Sequence, residues 1–132
     1  MCFSDSGAHL SQVFDSSIYT YLLAYWVRRR EAFTLEEAIA MITSKPAAAW
    51  ALADRGVIAP GYAADITVFD AETVGPLMPH LVRDLPGSAP RIEQRATGFE
   101  ATIVNGEVLI EDGNPTEGRP GRLLRAPARS LV

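Results

Sequence analysis

Residues 101–110 read Ala101-Thr-Ile-Val-Asn-Gly-Glu-Val-Leu-Ile110. Two β-rich runs flank Asn105-Gly106. Both of those residues accept a positive φ, as a two-residue type I′ turn requires, and the twist of that turn suits paired strands. The stretch therefore predicts an antiparallel hairpin. Working upstream, Asp65-Ile-Thr-Val-Phe-Asp70 is β-branched and aromatic between two Asp, and reads as a further strand. Pro60-Gly61 before it fits a turn with Pro second and Gly third. Val57-Ile58 is a candidate short strand. Residues 71–97 show no clear period and hold Pro76, Pro79, Pro86 and Pro90. They are expected to form an ordered excursion or long loop. From Asp112 onward Gly, Pro and Arg dominate. Arg119, Arg122, Arg125 and Arg129 belong to a tail with no acid after Glu117, expected either to strap along a neighbour or to fray.

The first half differs. Residues 1–55 hold only Gly7 and Pro46; every other Gly and Pro falls later. Because these residues punctuate turns, the chain should be helical first and strand-and-loop second. Asp15-Ser-Ser17 offers N-cap side chains. Behind it Ile18, Tyr21, Leu22, Tyr25 and Trp26 recur at helical spacing, giving one apolar face over about residues 17–31. Arg28, Arg29 and Arg30 fill the last turn, where cations suit the helix dipole. They are expected to be a solvated helix end, with an anion or partner site as the alternative. Thr34-Leu-Glu-Glu37 has capping-box spacing, and Leu35, Ala38, Ile39 and Ile42 line one face. Thr43-Ser44 is placed to cap a third helix carrying Pro46 in its first turn and stopped by Gly56. Met1-Cys-Phe-Ser4 is a short apolar run entering Asp5-Ser-Gly7, as a buried strand entering a loop does.

Composition bounds the function. The chain has 132 residues, 48% hydrophobic and 21% charged, with net charge −4. That suits one globular domain or part of a larger one and argues against disorder. There is no basic excess for phosphates, so no nucleic-acid partner is expected. No apolar run approaches the ~20 residues of a membrane span, and no signal peptide is visible. A reducing, cytoplasmic setting is expected. Cys2 is the lone cysteine, which excludes an internal disulfide and Cys-rich zinc modules and reads as a buried, inert thiol.

Few residues can carry chemistry. His9 and His80 are the only histidines and have no paired metal-ligand spacing. A metal site would need Asp5, His9, His80 and scattered carboxylates to converge. His80, between Pro79 and Leu81, reads as a loop histidine. The dense polar cluster is Ser4-Asp5-Ser6-Gly7-Ala8-His9. An Asp at the carboxyl end of a buried strand sits where α/β folds place catalysis. The same residue types also build an ordinary turn or helix cap, and a Ser/His/Asp triad is a further reading, without the Gly-x-Ser-x-Gly form of a nucleophile elbow.

Taken in order, several segments resemble the C-terminal end of the amidohydrolase superfamily, and within it the N-acyl-D-amino-acid deacylases (D-aminoacylases). They are Phe3-Ser-Asp-Ser-Gly-Ala-His9, Thr34-Leu-Glu-Glu-Ala38, Thr43-Ser-Lys-Pro-Ala47, Asp54-Arg-Gly-Val-Ile58, Pro60-Gly-Tyr-Ala-Ala-Asp-Ile-Thr-Val-Phe-Asp70, Asp84-Leu-Pro-Gly87, Ile103-Val-Asn-Gly106 and Gly118-Arg-Pro-Gly-Arg122. The Pro60 to Asp70 block is common to many amidohydrolases; Ser4 to His9 and Asp84 to Gly87 point to the D-aminoacylase branch.

The resemblance implies an α+β chain. Residues 1–55 would be the last βα part of a TIM-barrel-like domain, and residues 56–132 a small antiparallel β-domain with a C-terminal strap. It implies that Asp5 is the catalytic Asp at the end of the eighth barrel strand, with Ser6, Gly7 and His9 near the substrate. In the full-length family zinc supplies the nucleophile, and the Asp carries a proton from it to the departing amine. The family's His-x-His and later histidine ligands have no counterpart here, and a (β/α)₈ barrel takes about 250 residues. No cofactor is therefore expected for this chain alone. The expectation is a C-terminal deacylase fragment, inactive by itself, with an N-acyl amino acid as substrate only of a complete enzyme. The alternatives are a non-catalytic oligomerising or partner-binding module, and one half of a split hydrolase. Helix faces that have lost their barrel drive association, so the expected partner is a second copy, through Tyr21, Leu22, Tyr25 and Trp26 or the residues 1–4 strand, or an upstream barrel half.

Overall fold

The computed structural model describes Ser6 and residues 15–125. It mixes helices with antiparallel sheet, as the composition split suggests. The described residues group into two units. One takes residues 15–38 and 70–98 with Ser6; the other takes 39–69 and 99–125. Each unit draws on residues from both sides of residue 55.

In the second unit, strands β1 (Ile66–Phe69), β6 (Phe99–Val104), β7 (Glu107–Glu111) and β8 (Asn114–Pro115) form one sheet in the order β1-β6-β7-β8. All pairs are antiparallel. Val104 lies opposite Glu107 across a two-residue turn whose residues have φ 48° (Asn105) and 83° (Gly106), as type I′ requires. A second such turn, Asp112 (φ 47°) and Gly113 (φ 76°), pairs Glu111 with Asn114. The expected tail from Asp112 onward thus opens with strand β8, because Asp-Gly carries the same hairpin signal as Asn-Gly. Tyr62 N–H donates to Ala59 O at 3.1 Å across the expected Pro60-Gly61 turn, with Gly61 at φ 84°. Val57-Ile58 forms no strand, and Ile58 is 82% exposed.

The third helix, α3 (Ser44–Ala49), ends earlier than Gly56. Leu52 N–H donates to Ala47 O and Ala51 N–H to Ala48 O, at 2.9 and 3.1 Å, with Ala51 left-handed at φ 56°. This is a Schellman stop built on alanine where glycine is usual. Gly56 serves closeness instead: a Cβ there would stand 2.6 Å from Ala47 Cβ and 2.9 Å from Thr43 O. Thr43 does not cap α3 through its side chain; its hydroxyl donates to Ile39 O at 2.7 Å.

In the first unit a helical turn at Asp15–Ser17 leads into α1 (Ile18–Tyr21), which continues as a π-helix over Leu22–Arg29. Ser17 makes no side-chain cap; Thr20 Oγ1 donates to Ser17 O instead, at 3.0 Å. The i→i+5 bonding of a π-helix winds wider than the α period and moves the buried face. Leu23 is buried, while Tyr21 and Trp26 are 44% and 42% exposed. Arg28 is exposed, as the expected solvated end has it, but it is also hydrogen-bonded. Its Nη1 donates to Ala71 O and Val74 O, both at 2.9 Å. Arg29 lies 5.7 Å from the Tyr25 ring centre, and the Tyr21 and Tyr25 rings stack at 4.9 Å.

Residues 71–97 are not one long loop. They hold β2 (Gly75–Pro76) paired with β5 (Ala96–Thr97), and β3 (His80–Val82) paired with β4 (Arg91–Glu93). Strands of two and three residues are too short to show a period of two. Asp70 turns the chain into this region: its carboxylate accepts from Glu72 N–H and Thr73 Oγ1, both at 2.8 Å. Helix α2 (Leu35–Ile42) opens on the expected capping box. Glu37 N–H donates to Thr34 Oγ1 at 3.1 Å, and Thr34 N–H to Glu37 Oε2 at 2.9 Å.

Candidate functional site

Of the cluster singled out in the sequence, Ser6 lies in an exposed turn. Asp5, Gly7 and His9 lie outside the described residues, as do the expected strand at residues 1–4 and Cys2. The polar geometry of the described residues gathers in two other places, one in each unit.

The first is the β3–β4 hairpin. His80 is a strand residue rather than a loop residue. The register sets it opposite Glu93, with Nε2 to Oε2 at 3.2 Å. Glu93 also meets Arg95 at 3.3 Å and Arg91 at 3.6 Å. Arg91 in turn forks onto Asp84, Nε to Oδ1 at 2.8 Å and Nη2 to Oδ2 at 2.7 Å. That pairing lowers the Asp84 carboxyl pKa below its ordinary value and raises that of Arg91. The loop so closed is the Asp84-Leu-Pro-Gly87 segment. Gly87 adopts φ 69°, and Arg83 Nη1 donates to Ser88 O at 3.3 Å. A histidine beside a carboxylate can relay protons. Here Glu93 is already shared with Arg91 and Arg95 and His80 is exposed, so the network reads as the staple of the hairpin. Nothing in the sequence joined these residues, because only the strand register brings them together.

The second is a node in the other unit. Asp65 takes the Arg55 guanidinium on Oδ2 and the Asn105 N–H on Oδ1, the latter at 2.8 Å. Arg55 Nη2 donates to Asn105 Oδ1 at 3.2 Å, and Asn105 Nδ2 to Pro120 O at 2.7 Å. This node ties the Asp54-Arg-Gly, Asp65 and Asn105-Gly segments to the tail. It is a fastener, with no nucleophile or open carboxylate in it.

Among the described residues no three His, Cys, Asp or Glu side chains are placed to hold a metal ion. These residues therefore do not fit the zinc site that the resemblance implies for the full-length family. Among them, too, no helix is long and apolar enough to cross a membrane.

Comparison with known proteins bears out the family resemblance. A model of the amidohydrolase family matches residues 5–110. An N-acyl-D-glutamate deacylase from Alcaligenes xylosoxydans xylosoxydans is 40% identical over 110 residues, which is 83% of this chain and 20% of the relative. A dihydroorotase from Lactobacillus acidophilus is 31% identical over 108 residues, 81% of this chain and 25% of the relative. Among solved structures, N-acyl-D-glutamate deacylase from Bordetella bronchiseptica, complexed with zinc and a phosphonate inhibitor, superposes with a TM-score of 0.63 at 34% identity. That match covers 83% of this chain and 21% of the other. The chain spans about a fifth to a quarter of the length of the relatives it matches. With a family match over most of its residues, the chain belongs to the amidohydrolase family.

Proposed function

We propose that this chain is the C-terminal portion of a zinc-dependent deacylase acting on N-acyl-D-amino acids, and that by itself it is inactive. The observation that carries the reading is the 40% identity to an N-acyl-D-glutamate deacylase, over most of this chain and a fifth of that enzyme. On this reading residues 1–55 are the last strand and helices of a (β/α)₈ barrel, and residues 56–132 are the small β-domain with its strap. Asp5, at which the family match begins, is the residue that hands a proton to the leaving nitrogen. Ser6, Gly7 and His9 border the substrate. The zinc ligands come from the rest of a longer or split protein. The setting is cytoplasmic, consistent with a lone cysteine.

The test is direct. The purified 132-residue chain is assayed for zinc content and for hydrolysis of an N-acyl-D-glutamate. The expected result is neither stoichiometric zinc nor turnover, with both gained on co-expression with a barrel segment bearing the family's His-x-His. Turnover by the chain alone overturns the claim of inactivity. No turnover with any barrel partner overturns the deacylase reading.

A second reading is favoured by the exposure of Tyr21 and Trp26: the chain associates with itself through this helix. Sedimentation is expected to show a dimer at micromolar concentration that Tyr21→Ser with Trp26→Ser returns to monomer.

A further inference from the structure

We propose that Asn105-Gly106 is a latent modification site: a succinimide-forming pair that the folded chain holds off, and whose conversion to aspartate or isoaspartate unfastens the strap at Pro120. The chemistry needs only water. The backbone nitrogen of Gly106 attacks Cγ of Asn105. The new N–Cγ bond closes a five-membered imide, the Cγ–Nδ2 bond breaks, and Nδ2 leaves as ammonia with the proton that Gly106 N gives up. Water then opens the imide. Addition at Cγ leaves an ordinary aspartate; addition at the main-chain carbonyl leaves an isoaspartate, with the backbone rerouted through Cγ. Glycine in the second position removes the side chain that would hinder the attack, and around Gly106 the nearest atom to an added Cβ would be Ala64 Cβ at 4.0 Å.

What restrains the reaction is bonding. The attacking nitrogen has its N–H on Ala64 O at 2.9 Å. The group under attack is held at both ends, Oδ1 by Arg55 Nη2 at 3.2 Å and Nδ2 on Pro120 O at 2.7 Å. The Asn105 N–H is fixed on Asp65 at 2.8 Å. The molecule supplies its own control in Asp112-Gly113, a turn of the same φ signs that can form the same imide. Asp112 is exposed, and its carboxylate is tied to nothing among the described residues. Intrinsically the amide closes faster than the acid; the fold reverses that order.

The modification would also have a mechanical consequence. A carboxylate in place of the amide sets an acceptor against the Pro120 carbonyl and a second negative charge beside Asp65. The strap residues 118–125 lose the side-chain anchor that Asn105 gives them. Arg119, which donates to Thr116 O and Gly118 O at 3.0 and 2.6 Å, holds only its own neighbourhood.

The test uses the intact chain in mildly alkaline buffer, native and in urea, with peptide mapping that resolves isoaspartate. In the native chain, product is expected at Asp112 before Asn105. In urea the order inverts, and Asn105 converts at least about tenfold faster than in the native chain, as a site requiring local opening should. Equal Asn105 rates in the two conditions overturn the shielding. For the latch, Asn105→Asp is digested briefly with trypsin, and cleavage after Arg122 is expected to quicken severalfold. The same assay on wild-type chain deamidated by ageing and separated by ion exchange covers a variant that does not fold. Unchanged cleavage in the material that folds overturns the latch.

Discussion

Asp65 accepts the backbone N–H of Asn105 at 2.8 Å with one carboxylate oxygen and the Arg55 guanidinium with the other. A strand-entry residue thereby fixes the hairpin turn forty positions on, and neutralises an arginine whose side chain is only 12% exposed. Asp65→Ala leaves that guanidinium with Asp54, 3.8 Å from an Nε that makes no hydrogen bond, as its remaining acid, and orphans the Asn105 N–H. Breaking a largely buried pair and a bond to a charged acceptor is expected to cost about 2–3 kcal/mol, read as a lower denaturant midpoint. Asp65→Asn, which keeps an acceptor, should lose less.

Ala51 occupies the left-handed position of the Schellman stop at φ 56°. An L-residue there is strained by about 1–2 kcal/mol, a strain glycine escapes. Ala51→Gly is therefore expected to stabilise the chain by about 0.5–1 kcal/mol after the added unfolded-state entropy is counted. Thermal unfolding checks this; a lower melting temperature would contradict the assignment of the helix end.

Acid should loosen the first unit. The Asp70 carboxyl is lowered below its ordinary value of 3.8 chiefly by the Glu72 N–H and then by the Thr73 hydroxyl; Asp84 is lowered chiefly by Arg91. A depressed folded-state pKa means that the stabilisation is complete above the ordinary value and drains away as pH falls through the folded one. The denaturant midpoint is expected to hold down to about pH 4 and then fall. In Asp84→Asn that fall should be shallower and the midpoint above it lower. Both carboxylates face solvent, so the effect is small and weakened further by salt.

What the sequence made legible divides by the range of the cause. The Asn105-Gly106 hairpin and the Thr34/Glu37 capping box are settled within a few residues, and both form as read. The α period puts Ile18, Tyr21, Leu22, Tyr25 and Trp26 on one apolar face of the first helix; over Leu22–Arg29 the winding is that of a π-helix, Leu23 is buried, and Arg28 meets the Ala71 and Val74 carbonyls. The short strands between Gly75 and Thr97 exist through pairings roughly ten to twenty residues apart, so no local window displays them. Asp112-Gly113 carries a local hairpin signal that the Gly-, Pro- and Arg-rich composition after it masks. The candidate site was legible only through the family likeness of Ser4 to His9, because one Asp in a polar turn has the same local form whether or not it is catalytic.

Two glycines of nearly equal φ should respond oppositely in size. At Gly98 (φ 80°) an added Cβ overlaps the Val74 backbone, where Val74 is itself 1% exposed. At Gly113 (φ 76°) nothing lies within 4 Å. Gly113→Ala should cost only the left-handed strain, about 1 kcal/mol. Gly98→Ala must also displace buried backbone, and about 3 kcal/mol or more is expected. Equal losses would show that the turn at residues 70–74 yields where its hydrogen bonds to Asp70 say it should hold.

The catalytic assignment makes the sharpest demand. If Asp5 carries the proton to the leaving nitrogen, its loss should strike the chemical step and spare both folding and substrate binding. In the active assembly proposed above, with a barrel segment bearing the family's His-x-His, Asp5→Asn should lower kcat by about 10²–10⁴-fold, the range for removing a general acid–base group. KM should stay within a small factor, and zinc content should be unchanged. Asp5→Asn preserves the shape of the side chain and removes its proton affinity, so it separates proton transfer from simple packing. A variant that keeps full kcat, or one that loses zinc along with activity, would move the catalytic role elsewhere in the assembly.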